Sequence, residues 1–144
     1  MALVSPYNHT RLLFNSQCRD TDDFRINLYS VLPFTATATT KALAEAGATQ
    51  LPTLNGYTQD ATQLQSVETA IYQVTGCAFG AANPVWQASG GSLSATKALI
   101  FNSTLANSPP LFYIDLEGTL SAPDGQSLII QWHVDGIYIT KPPA

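Results

Sequence analysis

Charge is what this sequence has least of. Asp, Glu, Lys and Arg make up 11% of its 144 residues, where ordinary globular chains carry about a quarter. That shortage excludes two classes at once. A solvating disordered chain needs many charges and few aromatics, whereas six Tyr, six Phe and two Trp occur here. A phosphate-binding surface needs clustered basic residues. Arg11, Arg19, Arg25, Lys41, Lys97 and Lys141 are instead scattered, and the net charge is −4. Nucleic acid is therefore not an expected partner.

Long hydrophobic runs are also missing. Nothing approaches the roughly 20 apolar residues that cross a bilayer, and no basic n-region with an apolar h-region opens the chain. The expectation is a chain made in a cytosol with no membrane partner, any extracellular life coming after assembly. Cysteine is scarce, and Cys18 and Cys77 form neither a CxxC nor a CxxH pattern. A disulfide between them stays open, although two buried thiols suit the habit of free cysteine. His9 and His133 are the only histidines. With the two cysteines they are too few and too far apart for the three or four ligands of a zinc site. No metal or cofactor is expected.

Catalytic motifs are equally thin. There is no GxxxxGK[ST], no GxGxxG and no GxSxG. Asp20 and Asp22, with Asp23 next to them, resemble the start of a calcium loop, but its sixth and twelfth positions fall on Arg25 and Val31, where Gly and Glu are required. Strand alternation places Asp115 and Glu117 on one face with Tyr113. A glycosidase pair is conceivable from that spacing, yet a polar outer sheet face explains it with no added assumption. Asn8-His9-Thr10 and Asn102-Ser103-Thr104 match the glycosylation pattern, which carries no weight without a secretory signal. The sequence is not expected to encode an enzyme, and no residue is assigned a catalytic role.

What is present is strand and turn chemistry. Residues 1–23 read as a loose arm (1–9) followed by a first strand at Leu12, Leu13 and Phe14, and 24–144 as one body, within the size of a single domain. FRINLYSVL (24–32) alternates, with Phe24, Ile26 and Leu28 on one face and Arg25, Asn27 and Tyr29 on the other, and Pro33 ends it. Between 35 and 47 the Ala/Leu content and the Lys41–Glu45 spacing predict a helical turn or two, with Thr40 as N-cap and Gly47 as stop. Residues 50–59 form a loop with a turn at Asn55-Gly56. QLQSVETAIYQVTGCAF is one long strand or a strand broken near Gly76, with Val67, Thr69 and Ile71 opposite Ala70, Tyr72 and Val74. Residues 83–88, 95–104, 110–118 and 127–134 read as further strands, and IYIT after Asp135-Gly136 as a last one. The fold class is all-β: an antiparallel sandwich or jelly-roll-like barrel of about seven to nine short strands with one short helical segment.

Several segments together resemble a group of small β-sandwich virion proteins of tailed bacteriophages. FRINLYSVLPFTATATTKALAEAGATQLPTLNGYTQ resembles their front half, where a strand and a Thr/Ala-rich stretch lead into a Leu-Pro-Thr-x-Asn-Gly-Tyr-Thr loop. Leu51, Pro52, Thr53, Asn55, Gly56, Tyr57 and Thr58 match that loop. NPVWQASGGSLSATKALIFNST is similar to the family's W-x-A-x-G-G strand–turn–strand unit, and PLFYIDLEG and LIIQWHVDGIYI to its later strands. The resemblance covers about residues 24–140. It departs at Gln59-Asp60-Ala61, which replaces a basic or Gly-Gly segment, and at Ser103–Pro110, which replaces an aspartate-rich turn. It implies a head or tail structural component and no catalytic residues.

The expected function is a decoration or cement protein on the major capsid lattice, located in the virion and clustered as a homo-oligomer, a trimer being favoured. The expected contact residues are Leu51, Pro52, Asn55, Gly56 and Tyr57, together with the aromatics Trp86, Tyr113 and Trp132, types enriched at interface centres; the plain alternative for each aromatic is the sandwich core. Rival readings are a neck, tail or fibre-base component, a receptor- or carbohydrate-binding module with Trp86, Trp132 and Tyr113 as its platform, and a glycan hydrolase using Asp115 and Glu117.

Overall fold

The structure, a computed structural model, describes residues 3–10, 13, 21–72, 76–132 and 137–140, with 69–72, 76–78 and 138–140 described by their backbone. The strands are β1 (Leu3–Pro6), β2 (Phe24–Val31), β3 (Thr49–Gln50), β4 (Glu68–Tyr72), β5 (Gly76–Gly80), β6 (Val85–Gln87), β7 (Leu93–Asn102), β8 (Pro110–Ala122), β9 (Ser127–Ile129) and β10 (Tyr138–Thr140). A short helix, α1 (Lys41–Ala44), lies between β2 and β3. Every strand pairing is antiparallel. The protein is all-β with one short helix among the described residues.

Five strands form the main sheet in the order β1-β8-β7-β2-β3. Its front face is covered by a layer made from β10-β5-β4 and β6-β9, and the core lies between. Phe24, Ile26 and Leu28 of β2 enter this core as their alternation predicts, beside Ile100, Phe112 and Ile114. The opposite layer supplies Phe79, Trp86 and Leu128. Phe79 bridges the layers, with ring centroids 5.1 Å from Phe24 in an edge-on contact and 5.3 Å from Phe112. Each such buried side chain stabilises by about 1.5–3 kcal/mol through burial alone.

The back face differs from expectation. Asn27 and Tyr29, read as the polar side of a half-buried strand, are fully buried. Residues 31–48 fold back over them, building a second core from Tyr7, Tyr29, Leu32, Ala38, Ala44, Leu99 and Phe101. The α1 signals do hold: Thr40 Oγ1 accepts the Leu43 N–H at 3.2 Å, Lys41 pairs with Glu45 at 2.9 Å, and Gly47 has φ +78°.

The N-terminal expectation is corrected. Leu3–Pro6 is not a loose arm but a strand in register with β8 from Asp115 to Phe112, and Tyr7 behind it is buried. At Leu13 the amide donates to the His9 carbonyl at 3.0 Å, a helical bond in place of the expected strand. The two readings of the 63–79 stretch resolve as an antiparallel pair, β4 with β5. Among the described residues, the strand expected over 127–134 pairs only at Ser127–Ile129. Leu12, Phe14, Cys18, Val74, His133, Asp135 and Gly136, like the Cys77 side chain, lie outside the described residues.

Candidate functional site

The loop expected to meet a partner is occupied inside the molecule. Asn55 and Gly56 both have positive φ, 58° and 95°, closing a tight turn in which Leu54 and Tyr57 pair. The turn docks on the 87–92 segment. Ser89 donates its N–H to the Asn55 carbonyl at 3.0 Å, and Asn55 Nδ2 reaches the Ser92 carbonyl at 3.2 Å. A Cβ on Gly91 would lie 2.6 Å from Asn55 Nδ2. The Asn-Gly-Tyr-Thr and W-x-A-x-G-G segments therefore interlock with each other. Tyr57 points inward, its hydroxyl accepting the Leu28 N–H at 3.0 Å and the Gln50 amide at 2.9 Å.

Leu51, Tyr57 and Trp86 are thus corrected from contact residues to core residues, with 7%, 1% and 4% of their surface exposed. Trp86 also donates its indole N–H to Thr62 Oγ1 at 2.8 Å. Pro52 and Leu54 remain exposed at the tip of the loop.

The aromatic platform of the rival carbohydrate-binding reading is not assembled. Trp132 is half-buried against the front core, with its amide on Asn83 Oδ1 at 2.9 Å. Tyr113 lies on the back face, stacked on Phe34 with centroids 4.8 Å apart. The carboxylate pair of the rival hydrolase reading is not assembled either. Asp115 binds Lys97 at 2.9 Å, whereas Glu117 adopts φ +57° beside Gly118 at +121°. There β8 carries extra residues between its rungs to Lys97 and Ala95. A bulge of this kind breaks the two-residue period that would align the two carboxylates.

Ionic chemistry gathers instead behind β2. Lys41 Nζ lies 2.9 Å from Glu45 Oε1 and 3.0 Å from Asp60 Oδ1, and 5.3 Å from the Phe101 ring centroid. Tyr29 donates its hydroxyl to Glu45 Oε2 at 2.5 Å, and Asn27 donates to Asp60 Oδ1 at 2.6 Å. Arg25 bonds the Asp60 carbonyl at 2.6 Å and pairs with Asp23 at 2.7 Å. These bonds tie α1 and the 59–60 turn to the sheet. Each of Arg25, Lys41 and Lys97 is engaged by a carboxylate, so the cluster works as a clasp. Among the described residues no group of His, Cys, Asp and Glu is placed to hold a metal ion.

The clasp has a pH signature. Burial pushes the Asp60 carboxyl up, but hydrogen bonds from Asn27 and Lys41 outweigh it and hold its pKa below the ordinary value. The Arg25 hydrogen bond lowers Asp23, and the Lys97 hydrogen bond followed by the Glu117 amide lowers Asp115. Groups lowered on folding contribute stability above their unfolded pKa and lose it as pH falls through the folded one. Burial raises Tyr7, Tyr29 and Tyr57 instead, so their contribution is complete below the ordinary phenol value and is lost above it. Stability should therefore decline below about pH 4 and again above about pH 10. In an alkaline titration, the phenolate absorbance of these three tyrosines should appear together with loss of the β-sheet circular dichroism. Phenolate formation from them ahead of unfolding would contradict the burial.

No family model, curated protein or solved structure matches this chain. Its surface must speak for itself.

One face combines exposure with an absence of charge. In the β6–β9 ribbon, Trp86 and Leu128 point into the core, so the residues alternating with them point out. Val85 faces Ile129 and Gln87 faces Ser127 across the two strands. Val85 and Ile129 are 53% and 41% exposed. Beside them a groove of about 290 Å³ is lined by Thr62, Gln63, Leu64 and Gln65 on one side and 82–85 on the other. No lining residue is charged. Sequence reading nominated the tryptophans here and missed Val85 and Ile129. The two-residue period of Val-Trp-Gln and Leu-Ile-Ile held the signal: an inward Trp86 obliges Val85 to face outward.

Proposed function

We propose that the protein is a structural component of a tailed-bacteriophage particle, a head decoration or cement protein that meets the major capsid lattice through the outer face of β6 and β9. The observation that carries the reading is the uncharged face of Val85, Gln87, Ser127 and Ile129, taken together with the pairing of Arg25, Lys41 and Lys97, the basic side chains among the described residues, within the molecule. Contact through such a face desolvates no ion, and stripping water from an unpaired ion costs several kcal/mol. The segments resembling phage virion proteins supply the particle, and the all-β sandwich suits a role based on contact area. Repetition over a lattice multiplies a modest energy per copy. In this reading the copies cluster as a homo-oligomer, a trimer about a local axis, located in the virion and acting without catalysis.

The test uses purified particles. Particles lacking the protein are expected to burst at lower temperature and milder osmotic shock, and added protein should restore them. The double substitution Val85→Lys with Ile129→Lys alters exposed positions, so the chain should fold normally yet fail to restore particle strength. Unchanged robustness without the protein, or full rescue by the lysine variant, would remove the proposal. A neck, tail or fibre-base position is the second reading. Tagged copies imaged in one ring at a vertex, and not over the whole shell, would select it.

A further inference from the structure

β1 is the outer edge of the main sheet, and its register fixes which backbone groups are committed. Tyr7 donates its N–H to the Leu111 carbonyl at 3.1 Å, continuing the ladder of Ser5 with Tyr113 and Leu3 with Asp115. Antiparallel pairs alternate, so Leu3 and Ser5 turn their N–H and C=O groups toward β8, while Val4 and Pro6 turn theirs outward. Pro6 lacks an N–H at a position where none is needed, which is why this strand tolerates it. Val4 is left with the outward N–H of β1 and an outward carbonyl beside it. Among the described residues no strand pairs with that side.

Edge strands are commonly guarded by charge, a bulge, a proline or shortness; β1 is four residues long and has Pro6, which removes the outward donor at one end and leaves that of Val4. Leu3, Val4 and Ser5 carry no charge, no bulge interrupts their register with β8, and Leu3 is 56% exposed. We infer that β1 pairs with β1 of a second copy, antiparallel, about a two-fold axis through Val4. In that arrangement Val4 of each copy donates to and accepts from Val4 of the other. Leu3 then faces Ser5 of the second copy on the back of the sheet, near the half-buried Tyr113 and the exposed Phe34 stacked on it. On the front, Val4, already packed against the core, meets its twin.

A second copy is favoured over an unrelated strand for two reasons. A register running past Val4 meets Pro6, which offers no donor, whereas two-fold pairing at Val4 uses the outward donor that β1 possesses. Leu3, Val4 and Ser5 are also neutral, so at these positions two identical edges meet without like-charge contact, and Asp115, opposite Leu3 across the ladder, is already paired with Lys97. A contact of three paired residues per copy belongs to the small class, below about 1,200 Å² in total, where association is weak. On a crowded surface such contacts would tie one cluster of copies to the next. The pairing does not depend on the virion reading, because it is a property of the isolated chain.

The experiment follows amide exchange and sedimentation across a concentration series. Wild-type protein should self-associate, and exchange of the Val4 amide should slow at least tenfold at the top of the series. Val4→Pro removes an N–H that faces outward, as at Pro6, and so should leave the ladder to β8 intact. Val4→Pro and Leu3→Lys should each weaken association at least tenfold, and Leu3→Lys should do so with the thermal midpoint of the dilute protein unchanged, because Leu3 is exposed. Should Val4→Pro fail to fold, Leu3→Lys decides alone, since it changes an exposed side chain. Purely monomeric wild-type protein, or association undiminished in Leu3→Lys, would overturn the inference.

Discussion

Alanine at position 56 should remove about 3 kcal/mol or more of folding stability, a loss in the severe range for a single substitution. Two costs combine. Gly56 has φ +95°, and a Cβ built there lies 2.1 Å from the Gln87 carbonyl oxygen, a distance that only backbone movement can relieve. The interlock of the 55–58 turn with the 87–92 segment would have to open. Gly125 separates the two costs. Its φ is +85°, but nothing lies within 4 Å of a Cβ there, so Gly125→Ala should lose only the conformational term of about 1–2 kcal/mol. Urea midpoints of both variants measure the difference. Equal losses would mean that the close approach to Gln87 carries no weight.

Trp86→Ala is expected to cost about 3–5 kcal/mol in the isolated protein, the usual range for deleting a large buried aromatic. The indole is 4% exposed, lies in the front core among Phe79, Leu128 and their neighbours, and donates to Thr62. Its removal leaves a cavity between the two layers and strips Thr62 of that bond. Val85→Ala, one residue away but pointing outward, should stay within about 0.5 kcal/mol. The pair distinguishes a core role from a contact role by thermal or chemical unfolding with no partner present. If Trp86→Ala left stability unchanged, the tryptophan would belong to a surface after all.

Local features were legible in the chain. Phe24, Ile26 and Leu28 announced the core face of β2 through alternation. Thr40, Lys41, Glu45 and Gly47 announced a helical turn, and Asn55-Gly56 announced its own turn. Each depends on neighbours a few residues apart, where backbone sterics and side-chain capping act. Assigning Tyr57, Leu51 and Trp86 to a partner failed because residue type does not reveal what packs on a side chain. Tyrosine and tryptophan suit an interface and a core equally well. The loop motif looked like a recognition element, but its glycine, Gly56, is needed for contact with another part of the same chain.

The polar face of β2 shows the same limit. Arg25, Asn27 and Tyr29 alternate as a solvent face should, and nothing nearby in sequence signals that Asp60 and Glu45 return to meet them. The placing of Asp115 and Glu117 on one face failed because a bulge, set by the pairing of β8 with β7, breaks the alternation between them.

From the sequence alone came the all-β class, the scarcity of charge, the turns, the helical cap and the inward row of β2, because strand period, composition and local sterics act over a handful of positions. Tertiary structure decided that Leu3–Pro6 closes one edge of the sheet, that β2 is covered on both sides, and that Val85 and Ile129 are left facing outward. Those outcomes depend on strands that are remote along the chain but adjacent in space, and burial is a property of that adjacency.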